Sequence, residues 1–219
     1  MYRVVSLLIG YLFGGIQTSI IYSKLVAGQD IREHGSKNAG STNVLRVLGK
    51  KAGVTVFIGD LIKSIIAILV GQWVYVQFFA PEHGPSNWVV VGLYVAIGAI
   101  LGHSYPVFFQ FRGGKGIAVT IGCIYLIDVR IGLLSTLLFY ICVKSTRMVS
   151  LSSMLLTSSI PFLIGLFYWS SDFIVEAFFL GTIITLITVF RHKANIARII
   201  AGTEAKLGEK KPEEAKEDD

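Results

Sequence analysis

The sequence predicts an all-α integral membrane protein of seven transmembrane helices, with its N-terminus outside and its C-terminus cytoplasmic. Three observations carry this. The chain has 219 residues, is 53% hydrophobic and only 16% charged, where soluble domains carry about 25% charge. Charge is also missing in blocks: no Asp, Glu, Lys or Arg occurs in 4–23, 64–81, 83–111 or 148–171. Runs of about 18 or more apolar residues are long enough to cross a bilayer as helices. Finally, the Lys and Arg residues fall into clusters separated by turns, 80–87 and 169–172, that hold neither, the pattern of the positive-inside rule.

The elements follow in order. Residues 4–23 read as a first span rather than a cleaved signal, because the apolar run is long and no small-residue cleavage site follows it. The 24–51 segment holds Lys24, Arg32, Lys37, Arg46, Lys50 and Lys51 and is placed in the cytoplasm. A second span covers 53–79; the base-free loop 80–87 lies outside, and a third span covers 88–102. Arg112 and Lys115 mark the next basic loop, and Lys144 with Arg147 another. A single helix over 116–143 would put these two basic loops on opposite faces. Two short helices, 116–127 and 131–143, turning at Asp128-Val129-Arg130, return the chain to the cytoplasm. Each would be only about 18–20 Å long, so both must thin the bilayer or lean on longer neighbours. Spans 149–168 and 173–190 complete the seven, and Arg191-His192-Lys193 opens a basic tail. Residues 1–204 form one domain; the stretch from Glu204 has no apolar periodicity and reads as a charged, disordered tail over 205–219.

Cys123 and Cys142 sit in apolar segments without metal-ligand spacing, the pattern of buried free thiols. The net charge of +6 belongs to cytoplasmic loops rather than to nucleic-acid binding. Asp60 and Lys63, three apart within an apolar helix, read as a structural ion pair.

The polar signal sits in the cytoplasmic loops. Gly35-Ser36-Lys37-Asn38-Ala39-Gly40-Ser41-Thr42-Asn43 precedes a short helix that Thr42 or Asn43 can cap. Converging backbone N–H groups at a glycine-built helix start attract anions. Arg46, on the first turn, can clamp a phosphate with two parallel bonds. Gly113-Gly114-Lys115-Gly116 opens another helix. It is not a Walker A loop, which needs Gly at Phe109 and Ser or Thr at Gly116. His103 does not begin a His-x4-Asp pattern, since position 108 is Phe. His192 and Asn195 share a helix face.

Four motifs, Gly-Ser-x-Asn-x-Gly-x-Thr-Asn at 35–43, Gly-His-x-x-Pro-x-Phe-x-x-Phe-x-Gly-Gly-Lys-Gly at 102–116, Arg-x-Val-Ser-Leu at 147–151 and Arg-His-x-x-Asn-Ile-x-Arg at 191–198, make the chain resemble the PlsY family. These are the membrane acyl-phosphate:glycerol-3-phosphate acyltransferases. The resemblance implies a cell-membrane enzyme with a cytoplasmic active site, acylating the 1-hydroxyl of glycerol 3-phosphate to lysophosphatidic acid in phospholipid biosynthesis. It implies phosphate contacts from Ser36, Thr42 and Arg46, and site roles for Lys115, Ser153, His192 and Asn195. Asn38, Asn43, Gly113, Gly114 and Arg147 belong to the matched motifs as further substrate-binding positions. Lys37 and Ser41 stand where the family commonly has Gly and Ala.

Acyl phosphate, a mixed anhydride, arrives activated, so the resemblance implies no cofactor, metal or covalent intermediate. The base is either a substrate phosphate or His192. The implied partners are the two substrates, the bilayer and the soluble acyltransferase that forms acyl phosphate. A small transporter of an anionic solute is the alternative reading. It accounts less well for polar signal gathered on one face, because transporters bind near the midplane.

Overall fold

The computed structural model describes residues 1–80 and 88–208. The predicted outer loop 80–87 and the tail 205–219 thus lie largely outside the described residues. All regular structure among those described is helical. Ten α-helices occur there: α1 Tyr2–Gly14, α2 Thr18–Ala27, α3 Ser41–Leu48, α4 Lys50–Phe78, α5 Trp88–Ser104, α6 Ile117–Ile127, α7 Val129–Thr146, α8 Val149–Tyr168, α9 Ile174–Arg191 and α10 Lys193–Ile200. Six segments are long and apolar enough to cross a membrane, counting Tyr2–Ala27 as one. α6, with 11 residues, is shorter.

The bundle is built around α5, which packs against α1, α4, α6 and α9. Val90, Leu93, Ala96 and Ile100 of α5 are fully buried, together with Val119 of α6, Ile160 and Ile164 of α8 and Ile184 of α9. Outward positions are equally apolar: Leu8, Leu12, Ile62, Leu69, Leu137, Phe162, Phe179 and Leu186 are all exposed. A soluble helix turns a polar face to water; here hydrocarbon must cover both sides. α1 and α5 approach most closely. A Cβ on Gly10, Gly14, Gly98 or Gly102 would overlap backbone atoms of the facing helix, so small residues on both helices permit this packing, as is common between membrane helices.

The first span is not one helix. The chain breaks at Gly15-Ile16-Gln17 between α1 and α2, which frees carbonyls that have no water to meet within a bilayer. Lys63 supplies the replacement. Its Nζ donates to Gly14 O (3.1 Å) and Ile16 O (2.5 Å) and pairs with Asp60 Oδ1 at 2.8 Å. The ion pair suggested by the i,i+3 spacing is therefore present, and it stabilises a break that the apolar run concealed.

The two middle helices also differ from expectation. The first is short, as expected, but the second runs from Val129 to Thr146, 18 residues, beyond the 131–143 expected. Asp128 accounts for the earlier start, because its side chain accepts from Arg130 N at 2.8 Å and caps α7. The α6–α7 turn lies beside the α8 end, where Tyr168 Oη donates to Asp128 Oδ2 at 2.6 Å. At the start of α9, Glu176 binds Arg3 (2.7 Å) and Tyr94 (2.9 Å). The starts of α1, α5 and α9 therefore share one end with the α6–α7 turn. The other end carries the glycine-rich loops.

Candidate active site

Three loops meet at that second end. In the first, residues 30–43, Asp30 caps a single 3₁₀ turn and grips Arg32 through both carboxylate oxygens (3.0 and 2.7 Å). This pairing holds the Asp30 carboxyl down to about 2. Arg32 also reaches Phe109 O at 2.9 Å, tying the first loop to the second. Neither Thr42 nor Asn43 caps α3. The helix begins at Ser41 after Gly40, and both residues lie inside it. Asn43 is buried and turns its amide back on the loop: Oδ1 accepts from Ser36 N (2.8 Å) and Nδ2 donates to Ile31 O and His34 O (3.1 and 3.0 Å). It shapes the loop that presents Ser36. Ser36, Thr42 and Arg46 are exposed and make no side-chain hydrogen bond among the described residues. Arg46 is the sixth of eight residues in α3, not on its first turn. Asn38 is half-buried beside Gly40. Lys37 adopts φ +58°, a left-handed conformation that glycine accepts at no steric cost.

The second loop is the glycine run before α6. Gly113 N and Gly114 N donate to Ser104 O (3.2 Å) and His103 O (3.1 Å). Gly114 has no room for a side chain: a Cβ would overlap His103 Nε2 and the Ala39 carbonyl. Arg191 donates to the carbonyls of Gly113 (3.1 Å) and Gly114 (2.9 Å) and lies over the Tyr105 ring at 4.9 Å. Held this way, Lys115 extends its Nζ to Asn195 Oδ1 at 2.5 Å.

The third element is the α9–α10 junction and the chain after it. Asn195 is buried and spends its Nδ2 on Glu204 Oε1 (2.6 Å), which also accepts from Ser150 Oγ (2.6 Å). Glu204 Oε2 accepts from Arg198 Nε at 2.7 Å. A continuous chain, Lys115–Asn195–Glu204–Ser150/Arg198, thus crosses the site. Glu204 is buried and is part of this network. Burial pushes its carboxyl up, but the bonds from Ser150, Asn195 and Arg198 outweigh burial and hold it below the usual range.

Electrostatics follow from these contacts. Burial, together with the nearby Arg198, Arg191 and Arg46, brings the Lys115 ammonium down to about 8 against the partial support of Glu204. The Lys115 ammonium therefore feels the charge of three arginines. His192 is also buried, and desolvation with the Lys115 charge lowers it to about 4. Its Nδ1 lies 2.8 Å from Thr188 O. A carbonyl can only accept, so Nδ1 carries the proton and Nε2 is left with a lone pair.

Two expected positions turn elsewhere. Ser153 is buried and bonds its own helix at Val149 O (2.8 Å). Arg147 donates to Leu207 O (2.8 and 3.1 Å) and pins the segment after Glu204. Beside Ser41 and Thr42, an open groove of about 200 Å³ between α3 and α4 is lined by Leu45, Gly53, Val54 and Phe57.

A helical bundle with apolar outward faces and its glycine loops and buried cations gathered at one end defines an integral membrane protein of the all-helical class. The chain matches the family described as glycerol-3-phosphate acyltransferase over residues 4–202. It is 38% identical over 211 residues to the glycerol-3-phosphate acyltransferase of Thermoanaerobacter sp. (strain X514), covering 96% of this chain and 98% of that one. The corresponding enzyme of Clostridioides difficile (strain 630) is 36% identical over 208 residues, covering 95% and 97%. The crystal structure of PlsY, an integral membrane glycerol 3-phosphate acyltransferase, in its glycerol 3-phosphate form superposes with a TM-score of 0.79 at 34% identity, covering 95% and 96%. Its lysophosphatidic acid form gives 0.75 at 33%, over the same shares of the two chains. The chain belongs to the glycerol-3-phosphate acyltransferase family of the PlsY type.

Proposed function

We propose that this protein transfers an acyl group from acyl phosphate to the 1-hydroxyl of glycerol 3-phosphate, releasing lysophosphatidic acid and phosphate. The observation that carries this is the gathering of Lys115, Arg191 and Arg198 by the glycine loop and the Asn195–Glu204 network, in a chain matched to this family along nearly its whole length. The transporter alternative is not favoured.

The chemistry asks for positioning more than for a nucleophile. The 1-hydroxyl oxygen forms a bond to the acyl carbon while the bond from that carbon to the phosphate oxygen breaks. The hydroxyl proton passes to a substrate phosphate. Lys115 and Arg46 neutralise and orient the two phosphates, and Asn195, held by Glu204, fixes the Lys115 ammonium. His192 Nε2 accepts a hydrogen bond from substrate and steadies it, since a group brought down to about 4 is a weak base at neutral pH. Ser36, Asn38 and Thr42 complete the phosphate contacts, and the α3–α4 groove gives the acyl chain a path to lipid.

The purified protein with acyl phosphate and glycerol 3-phosphate is expected to yield lysophosphatidic acid, with chelator present and without coenzyme A. Robust transfer from acyl-coenzyme A alone, or dependence on added metal, would overturn the donor assignment.

The proposal includes seven crossings of the cell membrane, α6 being the seventh, with the site on the cytoplasmic face. A cysteine at Ser145 is then shielded from an impermeant thiol reagent outside intact cells, and one at Ser170 is labelled. The reverse pattern would invert the orientation.

A further inference from the structure

We propose that the buried Asp60–Lys63–His103 cluster is a positioning device for the acyl transfer, fixing the Gly113–Gly116 loop so that Lys115 meets the substrate phosphate. This rests on the acyltransferase reading given above. As an ion pair alone, Asp60–Lys63 would explain only the break between α1 and α2. The geometry extends further.

All three side chains are buried, at 1%, 5% and 3% exposure, on two different helices. Lys63 Nζ is 2.9 Å from His103 Nδ1. An ammonium has no lone pair, so Nδ1 is the acceptor and the ring proton sits on Nε2. Nε2 is the atom against which Gly114 packs without room for a Cβ, together with the Ala39 carbonyl of the first loop. The backbone of His103 is fixed as well. Its carbonyl accepts from Gly114 N at 3.1 Å and from Gln17 Nε2 at 3.1 Å, and Gln17 lies in the α1–α2 break. Thr18 Oγ1, one residue on, donates to Asp60 Oδ1 at 2.9 Å.

The ring of His103 is therefore a spacer between the membrane-embedded ion pair and the two substrate loops. Its orientation is set on one side by Lys63. On the other side it sets where Gly114, and so the next residue Lys115, can stand. A buried charge pair is weak evidence for stability, since replacing one by apolar groups is often neutral. Its use here lies in fixing a single arrangement of the loop. A displacement of about 1 Å at a positioned group can cost on the order of a hundredfold in rate.

The test compares His103→Asn, which keeps an acceptor near the Nδ1 position, with His103→Leu, which removes it. His103→Leu is expected to lower kcat/KM for glycerol 3-phosphate at least tenfold, most of it in KM, with a thermal midpoint in detergent close to wild type. His103→Asn should stay within threefold of wild type. Should His103→Leu fail to insert, the double variant Asp60→Asn/Lys63→Met keeps the shape without an unpaired charge, and it should show the same tenfold loss. Wild-type kinetics in His103→Leu or in the double variant would overturn the proposal. So would equal damage in His103→Asn and His103→Leu, or a loss that simply follows the thermal midpoint. Absence of any transfer by the wild-type protein would instead defeat the acyltransferase reading itself.

Discussion

Lys115 should set the alkaline limit of the reaction. Its ammonium titrates near 8 instead of 10.5 because it is buried among other cations. Substrate phosphate favours the charged form, so above pH 8 binding must be accompanied by proton uptake at Lys115. The profile of kcat/KM reports free-enzyme ionisations; it should fall tenfold per pH unit above about 8 and stand about thirtyfold below its plateau at pH 9.5. Unfolding does not explain such a fall. A lysine whose folded pKa is depressed leaves the unfolded chain holding more protons between about 8 and 10.5, so its contribution to stability rises with pH in that window. Lys115→Arg provides the control, because a guanidinium stays charged throughout. That variant should have a lower plateau and no alkaline limb below pH 10. The assay is initial-rate phosphate release at subsaturating glycerol 3-phosphate in a series of buffers. An unchanged limb in Lys115→Arg would refute the assignment.

Three further outcomes follow from the site. Arg46→Ala removes a charge-assisted contact worth roughly 1.5–3 kcal/mol, so kcat/KM should fall at least about tenfold, and Arg46→Lys should remain impaired because an ammonium lacks the planar fork; near-wild-type rates in both would exclude Arg46 from phosphate binding. His192→Asn should keep substantial activity and an acidic limb near pH 6, the second ionisation of a substrate phosphate; loss of that limb with near-total loss of turnover would make His192 the base. Lys37→Gly relieves a left-handed backbone, φ +58°, that costs an ordinary residue roughly 1–2 kcal/mol, less the entropy glycine loses on folding, so the thermal midpoint should rise by a few degrees; a fall would show that the Lys37 side chain contributes more than its backbone costs.

Much of this arrangement was legible in the residues. Blocks without charge announced the helices, and the order of the four motifs located the loops that the fold gathers at one end. Lys37 was visible as a departure from the motif of the resembled family, and its positive φ marks a position that glycine would occupy without strain. Other features were hidden for physical reasons. The α1–α2 break lies inside an uncharged run, because the group satisfying its carbonyls, Lys63, comes from another helix. The start of α7 was missed by reading Asp128-Val129-Arg130 as a turn, although an Asp before an apolar run is a helix-cap signal. Glu204 follows the last helix with no periodicity around it. Only the fold reveals that Ser150, Asn195 and Arg198 converge on its carboxylate. Asn43 lies in a matched motif, yet its side chain bonds the loop backbone that presents Ser36, and Ser153, two residues past another, bonds its own helix.

In the proposed reaction the acyl group passes directly from acyl phosphate to the 1-hydroxyl of glycerol 3-phosphate, without resting on the protein. Rapid-quench measurement of phosphate from acyl phosphate tests it, using enzyme at stoichiometric concentration, with and without glycerol 3-phosphate. The account predicts phosphate release only when glycerol 3-phosphate is present, one phosphate for each lysophosphatidic acid formed. A burst of about one phosphate per enzyme without acceptor, with the acyl chain retained on the protein, would contradict it.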